Sequence, residues 1–250
     1  MTAMRAQRAE TAAVLLIGNE LLSGKVVDAN LTPLALTLRA LGIRLGRVSI
    51  LPDELDLLVA EIRSLSASHD VVFTSGGVGP THDDVTIEAV ARAFGGHAVV
   101  DPTLGELVRK AYGDRVSDDH LRLALVPEGA SLATSPDGAW PTPVMRNVWM
   151  LPGVPEVFRE KLATVRVWVS GPAPFVSRAV FTLREEVLLK PLIDQVVAAH
   201  PDVEVGSYPR WFEPSYRTKV TFDARDRARV EAATEDFVAG LPAGSLVRVE

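Results

Sequence analysis

The turn at residues 76–84 holds the residues of this chain best suited to chemistry, and its sequence is Gly-Gly-Val-Gly-Pro-Thr-His-Asp-Asp. Gly76, Gly77 and Gly79 have no Cβ, so a ligand can approach the backbone closely. Pro80 fixes its own φ and biases the preceding residue away from helical angles. A helix is predicted to follow, and the first N–H groups of a helix carry a partial positive charge. This arrangement predicts a phosphate-binding turn.

Two adjacent carboxylates, Asp83 and Asp84, distinguish this turn from an ordinary glycine-rich phosphate loop. They would repel a phosphate unless a cation lay between them, so the sequence predicts a bound divalent metal ion, Mg²⁺, Mn²⁺ or Co²⁺. An alternative stays open, because Asp84 is also placed to cap the following helix and the pair could serve only that helix start. His82 fits a plain surface position as well as it fits a part in catalysis.

Three other strand-to-helix turns carry glycine or acidic residues. The predicted strands and their turns are residues 13–17 with Gly18-Asn19-Glu20, residues 43–50 with Asp53, and residues 144–151 with Gly153. Strands alternate with amphipathic helices along this region, which predicts βαβ units, a largely parallel sheet and helices on both of its faces. Ligands of such sheets bind at the carboxyl ends of the strands. We therefore expect these turns to meet the turn at residues 76–84 at one site.

The segment Ser-Gly-Pro-Ala-Pro at residues 170–174 is the best domain boundary in the chain. It separates a first domain, residues 12–169, from a small second domain, residues 174–250. The second domain shows strand and helix patterns in the order β-α-β-β-α-β, which is the ferredoxin-like arrangement. The sequence therefore predicts an α/β domain followed by a small α+β domain.

The composition excludes several classes of protein. The chain has 250 residues, 47% of them apolar, a formal net charge of −6 and no cysteine. The absence of cysteine excludes disulfides and thiolate metal sites, and no cluster of basic residues offsets the negative charge, so we expect no nucleic-acid partner. No apolar run reaches membrane-spanning length, so we expect no membrane association and a cytoplasmic protein. The glycine motifs of dinucleotide-binding proteins and P-loop NTPases are also missing.

The chain resembles the MoaB/Mog molybdopterin-binding-like superfamily, in its CinA N-terminal branch. The segments that carry the resemblance are Gly18-Asn19-Glu20-Leu21-Leu22, Val27-Asp28-Ala29-Asn30, Pro52-Asp53-Glu54, residues 76–86 and Leu151-Pro152-Gly153-Val154-Pro155. Within this branch, the segments Leu-Ala-Leu-Val-Pro at residues 123–127, Arg146-Asn147-Val148 and Gly206-Ser207-Tyr208-Pro209 are most similar to the FAD-hydrolysing domain of animal FAD synthases. Residues 135–143 lack the Gly-Thr-Ala-Pro-Gly pattern usual in CinA proteins, so the resemblance does not by itself extend the CinA substrate range to this chain.

The resemblance implies a three-layer α/β/α sandwich, a homo-oligomer, either a dimer or a trimer, and metal-dependent cleavage of a diphosphate such as that of FAD or ADP-ribose. In Mog-type proteins the acidic positions that match Asp84 and Asp53 are essential for adenylyl chemistry, which makes these two the strongest candidates. The alternatives are a molybdopterin-binding or adenylyl-transferring protein of molybdenum-cofactor assembly, and a non-catalytic nucleotide-binding module.

The leading hypothesis is a metal-dependent pyrophosphohydrolase of an AMP-containing dinucleotide, with a role for each candidate residue. Residues expected to bind the diphosphate are Gly76, Gly77, Gly79, Pro80, Thr81, Asn19 and Gly153. Asp84, Asp53 and Glu20 are expected to hold the divalent cation, which would lower the pKa of a bound water. Asp83 would orient that water, and His82 would protonate the leaving phosphate.

Overall fold

The computed structural model describes residues 6–135, 140–212 and 215–250, and the chain divides into two compact units, Met1–Pro172 and Ala173–Glu250. The strands of the first unit are β1 (Gln7–Arg8), β2 (Thr11–Ile17), β3 (Arg44–Leu51), β4 (Val71–Ser75), β5 (Ala98–Val100), β6 (Leu125–Pro127), β7 (Ser131–Ala133), β8 (Thr142–Met145), β9 (Val148–Leu151) and β10 (Val169–Ser170). Its helices are α1 (Asn19–Leu22), α2 (Leu31–Ala40), α3 (Leu55–Ser68), α4 (Thr86–Ala93), α5 (Pro102–Tyr112), α6 (Asp118–Leu121) and α7 (Pro155–Trp168), with short 3₁₀ turns at Gly113–Arg115 and Arg122–Ala124.

The central sheet has the strand order β3-β2-β4-β9-β8-β7. The pairs β3-β2, β2-β4 and β4-β9 are parallel, while β8 and β7 continue the sheet with antiparallel pairs. β4 is buried at every position, as is β2 after its first residue, which explains their continuous apolar sequences. The mostly parallel sheet predicted from the sequence is therefore confirmed.

Helices cover both faces of this sheet. On one face, Val14 and Leu16 of β2 belong to a buried cluster that includes residues of α2 and α7. On the other face, Leu15 and Ile17 of the same strand belong to a cluster that includes residues of α3 and α4. Successive side chains of a strand point to opposite faces, so one apolar strand supplies both clusters. The three-layer α/β/α architecture is confirmed.

The segment predicted as one strand at residues 144–151 is an antiparallel hairpin instead. Arg146 has φ +54°, a left-handed value that is rare for residues other than glycine, and it separates β8 from β9. Val144 and Met145 then pair with Trp149 and Val148. This reversal brings the start of β8 to the same edge of the sheet as the carboxyl end of β9.

The second unit has the element order β11 (Val176–Thr182), α8 (Glu186–Ala199), β12 (Glu204–Pro209), β13 (Thr218–Ala224), α9 (Arg227–Gly240) and β14 (Leu246–Val249). Its strands lie in the order β12-β13-β11-β14, and neighbouring strands are antiparallel. Phe222 of β13 packs with Phe237 of α9 inside a buried cluster that also includes residues of α8. The ferredoxin-like prediction is confirmed. No helix in the described part of the chain combines the length and apolarity that a membrane span requires.

Candidate functional site at the carboxyl edge of the parallel strands

A cavity of about 820 Å³ is lined by the turns that follow β2, β3, β4 and β9. The parallel strands end at one edge of the sheet, so turns that are distant in sequence share one wall. The predicted site residues on this wall are Glu20, Asp53, Gly76, Gly77, Gly79, Thr81, Asp83, Asp84 and Gly153. Three other predicted residues, Asn19, Pro80 and His82, do not line it.

The paired glycines at the end of β4 are required by the turn itself. Gly76 has φ +106°, and a Cβ at this position would lie 2.3 Å from the backbone oxygen of Ile17. Gly77 has φ +66°, and its Cβ would lie 2.3 Å from Thr86 Oγ1. Such distances are far below van der Waals contact, so no other residue fits without moving the backbone of β2 or the start of α4. The two glycines therefore determine the path of the backbone where the turn after β4 lines the cavity.

The helix after this turn begins at Thr86, and the prediction that Asp84 caps it is wrong. Val85 occupies the N-cap position and makes no side-chain cap. The Thr86 amide donates to the Gly77 carbonyl oxygen at 2.9 Å, and the buried Thr86 hydroxyl donates to the Gly76 carbonyl oxygen at 2.8 Å. The turn therefore already uses the first amide of the helix, which is no longer available to a phosphate.

Thr81 contacts the carboxylates of both Asp83 and Asp84. Its backbone N–H donates to Asp84 Oδ2 at 2.8 Å. Its hydroxyl oxygen lies 2.5 Å from Asp84 Oδ2 and 2.6 Å from Asp83 Oδ1, so the single hydroxyl proton can serve only one of them at a time. The hydrogen bond from the Thr81 hydroxyl holds the pKa of Asp83 below its ordinary value. Both acidic side chains are thus tied to the turn and turned towards each other.

Asp53 reaches the same cavity from the turn after β3. Its Oδ2 accepts a hydrogen bond from the Asn19 backbone N–H at 2.9 Å, which links this turn to the one after β2. Burial raises the pKa of Asp53 above its ordinary value, the Asn19 hydrogen bond opposes that shift, and the charges of Glu20, Asp83 and Asp84 raise the pKa further. These effects show that negative charge from three separate turns is concentrated in one cavity.

Three predicted residues are placed differently from what the sequence indicated. Asn19 contributes its backbone amide to Asp53 and does not line the cavity. Pro80 lies in the exposed part of the turn. The His82 side chain is 97% exposed, with Nδ1 3.9 Å from Asp83 Oδ1. The expected proton donor therefore points to solvent, and the structure gives it no place beside a leaving phosphate.

Carboxylate oxygens are the ligands that Mg²⁺ and Mn²⁺ prefer, so the donor chemistry of this wall fits a divalent cation. The set Asp84, Asp53 and Glu20 is not preformed, however. Within residues 6–135, 140–212 and 215–250, no three His, Cys, Asp or Glu side chains are arranged as a group that could hold a metal ion by themselves. Mg²⁺ commonly binds through one or two carboxylates together with substrate phosphates and water, and this wall suits that mode.

The cavity also contains residues that the sequence did not indicate. Lys161 of α7 is only 7% exposed, lines the cavity and donates a hydrogen bond from Nζ to the backbone oxygen of Trp140. Tyr112 at the end of α5 and Leu125 at the start of β6 also line the cavity. Lys161 lies three residues after Phe158 and four before Val165, so helical spacing is the signal that could have placed it on the buried face of α7.

Asn30 holds two of the turns together from behind the cavity. Its Nδ2 donates to Ser75 Oγ at 2.9 Å and to the Gly153 carbonyl oxygen at 2.8 Å. Asn30 occupies the N-cap position of α2, but its side chain makes no cap there, and the Leu31 amide donates to Asp28 Oδ2 at 2.9 Å. Asn30 therefore ties the end of β4 to the turn after β9.

The α/β/α sandwich with an acidic glycine turn at the carboxyl edge of its parallel strands defines a small-molecule-binding domain of the molybdopterin-binding class. Residues 13–167 match the family described as a probable molybdopterin binding domain, and residues 174–250 match the family described as the middle domain of FAD synthase. The chain belongs to the MoaB/Mog molybdopterin-binding-like superfamily, in its CinA-like branch.

Relatives match most of the chain. A protein from Archaeoglobus fulgidus is 31% identical over 224 residues, which are 90% of this chain and 95% of that protein. A CinA-like protein from Thermotoga neapolitana is 28% identical over 235 residues, 91% of this chain but 57% of that protein. The crystal structure of CinA from Thermoplasma acidophilum, described as of unknown function, has a TM-score of 0.58 and 30% identity, covering 64% of this chain and 97% of that chain. The predicted family resemblance is confirmed.

Proposed function

We propose that this protein hydrolyses the diphosphate of an AMP-containing dinucleotide, FAD or ADP-ribose. Water attacks one phosphorus atom and the P–O–P bond breaks, so the products are AMP and a second phosphate ester, FMN from FAD or ribose 5-phosphate from ADP-ribose. The observation that carries the proposal is the meeting of one glycine turn and four carboxylates, Glu20, Asp53, Asp83 and Asp84, on the wall of a single cavity. The match of residues 174–250 to the middle domain of FAD synthase supports a flavin nucleotide among the substrates.

The glycine turn and the Gly153 turn provide backbone groups to which a diphosphate can bind. Gly76, Gly77 and Gly153 all line the cavity, and no side chain at these positions separates the ligand from the main chain. Lys161 brings a positive charge to the same cavity, which favours an anionic ligand. The diphosphate is thus expected between the glycines and Lys161.

Four carboxylates repel a diphosphate, so substrate binding needs positive charge in addition to Lys161. A divalent cation, Mg²⁺, Mn²⁺ or Co²⁺, would be held by Asp84 with Asp53 and Glu20, and when bound it polarises the diphosphate and makes a water more acidic. Asp83, whose pKa lies below its ordinary value, stays ionised and can accept a proton from the attacking water. His82 has no role in this proposal, because its side chain lies in solvent.

The test is incubation of the purified protein with FAD, ADP-ribose or NAD and each of the three metal ions, with AMP measured by chromatography. We expect AMP from FAD or ADP-ribose, and a loss of at least two orders of magnitude in Asp84→Asn. Glu106→Gln, an exposed change on α5, is the matched control and keeps the wild-type rate. Failure to release AMP from any substrate, or full activity in Asp84→Asn, would eliminate the proposal.

A second candidate follows from the family match, since residues 13–167 resemble a domain described as molybdopterin-binding. In this case the protein binds a pterin phosphate in this cavity. It either transfers an adenylyl group to the pterin phosphate or binds it without a reaction. Molybdopterin that co-purifies with the protein, or its adenylation in the presence of ATP, supports this candidate. Thermal stabilisation by a nucleotide without turnover supports a binding module instead.

A further inference from the structure

We infer that Trp140 and Thr142 form a subsite next to Lys161 in this cavity, and that this subsite binds the flavin ring of the substrate. The inference rests on the proposed function, because it assigns a place to one half of the dinucleotide. Thr142 is the first residue of β8, Trp140 precedes that strand by two residues, and Lys161 lies on α7. All three residues line the cavity.

The strand order separates this subsite from the acidic turns by a distance that a dinucleotide can span. β3 and β8 are separated by β2, β4 and β9, so their ends lie four inter-strand spacings, roughly 19 Å, apart along the edge. Asp53 follows β3 at one end, the glycine turn follows β4 in the middle, and Thr142 begins β8 at the other end. A dinucleotide whose diphosphate binds at the glycine turn can therefore extend one of its rings to Trp140.

Trp140 is held in place while its side chain remains accessible. The residue is 36% exposed, and its backbone oxygen accepts a hydrogen bond from Lys161 Nζ. This contact ties the segment before β8 to the rigid helix α7. An accessible indole on the wall of a cavity is a stacking surface for a planar heterocycle.

Thr142 adds a polar group that the protein does not use. The residue is 1% exposed, and its Oγ1 has no hydrogen-bond partner among the described residues. A buried hydroxyl without a partner costs free energy, so a ligand atom that bonds to it is stabilised at this position. Such an atom would lie beside the ring that stacks on Trp140.

The side chains of the remaining cavity wall favour the flavin ring of FAD over its adenine ring. Apolar side chains of the lining include Leu123, Leu125, Pro141, Pro143, Val154 and Val157. The flavin ring has one apolar edge, which carries two methyl groups, and one polar edge, whereas adenine has polar atoms on most of its edge. An apolar wall with one unpaired hydroxyl, that of Thr142, matches the flavin ring. The adenylate half of the substrate is then expected at the acidic turns.

The experiment measures the binding of FMN and AMP separately, by calorimetry and by quenching of flavin fluorescence, which stacking on an indole produces. We expect Trp140→Ala to weaken FMN binding about tenfold and to leave AMP binding unchanged. Trp140→Phe keeps an aromatic surface and stays within about threefold of the wild type. Thr142→Val removes the hydroxyl at constant shape and weakens FMN binding several-fold.

Trp211→Ala is the matched control, because Trp211 is an exposed tryptophan of the second unit that does not line the cavity. The subsite is disproved if the wild type does not bind FMN, if Trp140→Ala binds FMN as the wild type does, or if AMP binding falls instead. If FMN binds as expected and FAD yields no AMP, the hydrolytic function fails and the subsite stands. If FAD yields AMP and its KM is unchanged in Trp140→Ala, the function stands and the subsite fails.

Discussion

Thr81 contacts one carboxylate oxygen, Asp84 Oδ2, through two of its groups: its backbone nitrogen donates to that oxygen at 2.8 Å, and its hydroxyl oxygen lies 2.5 Å from it. The hydroxyl is also 2.6 Å from Asp83 Oδ1. One small side chain therefore orients both acidic residues of the turn. A substitution of Thr81 that keeps the loop conformation also keeps the backbone hydrogen bond to Asp84. The contacts of the hydroxyl can therefore be removed selectively.

Thr81→Val is expected to lower the rate of AMP release by about tenfold, because a hydrogen bond to a charged group contributes about 1.5–3 kcal/mol and this one is partly exposed to water. The concentration of metal ion needed for half-maximal activity should rise, since the two carboxylates lose their common donor. Thr81→Ser retains the hydroxyl and is the control. Equal metal dependence in the valine and serine variants would show that the hydroxyl does not position the carboxylates.

Asp83→Asn separates the role of Asp83 from that of Asp84. Asp83 is proposed to accept a proton from water, so its loss should reduce kcat by two to four orders of magnitude with a small effect on KM. Loss of Asp84, a proposed cation ligand, should in addition abolish the stabilisation by Mn²⁺ in a thermal melt. Titration of both variants with Mn²⁺ checks this difference, and the same Mn²⁺ dependence in both would contradict the assignment.

Asp53→Asn is expected to stabilise the metal-free protein at neutral pH. The folded-state pKa of Asp53 is raised above its ordinary value of 3.8, so protonation of this group favours the folded state. Its stabilising contribution is fully present below 3.8 and is lost as the pH rises through the folded-state pKa. An asparagine has no such charge and can still accept the hydrogen bond from the Asn19 amide.

Thermal melts in chelator between pH 4 and pH 8 measure this effect. The melting temperature of Asp53→Asn should exceed that of the wild type at pH 7, and the difference should shrink towards pH 4. Glu106→Gln serves again as the control and should follow the wild type across the range. A melting temperature of Asp53→Asn below that of the wild type at pH 7 would refute the predicted crowding of negative charge.

Asn30→Ala is expected to destabilise the first unit by on the order of 2 kcal/mol, because Ser75 Oγ and the Gly153 carbonyl oxygen lose a buried donor. The turn after β9 should then hold the diphosphate less firmly, which raises KM. Asn19→Ala provides the comparison, since Asn19 acts through its backbone amide and its side chain is exposed. Urea titration of both variants tests the pair, and equal stability would remove Asn30 from its connecting role.

The architecture could be predicted from the sequence because the residue patterns that specify it lie within single strands and helices. The apolar runs at β2 and β4 and the regular alternation with helices predict a parallel sheet, and a parallel sheet aligns the carboxyl ends of its strands. For this reason Glu20, Asp53 and the turn at residues 76–84 were expected on one edge, and the structure places them on one cavity wall. The metal, the oligomer and the cytoplasmic location stay predictions, which metal analysis, light scattering and fractionation can test.

Other features depend on contacts that no local pattern reports. The start of α4 is set by the bonds from Thr86 to two glycine carbonyls, so Asp84, an excellent cap by residue type, does not act as one. The hairpin between β8 and β9 depends on a left-handed arginine, a residue that rarely adopts this conformation. The hydrogen bond from Lys161 Nζ to the Trp140 backbone oxygen joins α7 to the segment before β8, and no local pattern predicts this contact.

The antiparallel direction of β8 has a consequence for how this scaffold can diversify. The acidic and glycine turns follow parallel strands, whereas Trp140 precedes a strand that runs the opposite way and is linked to β9 by the short turn at Arg146 and Asn147. The segment before β8 can therefore change its sequence or length while the parallel strands keep their register. Under the proposed function, exchange of this one segment between homologues is a direct route to proteins that accept other nucleotides.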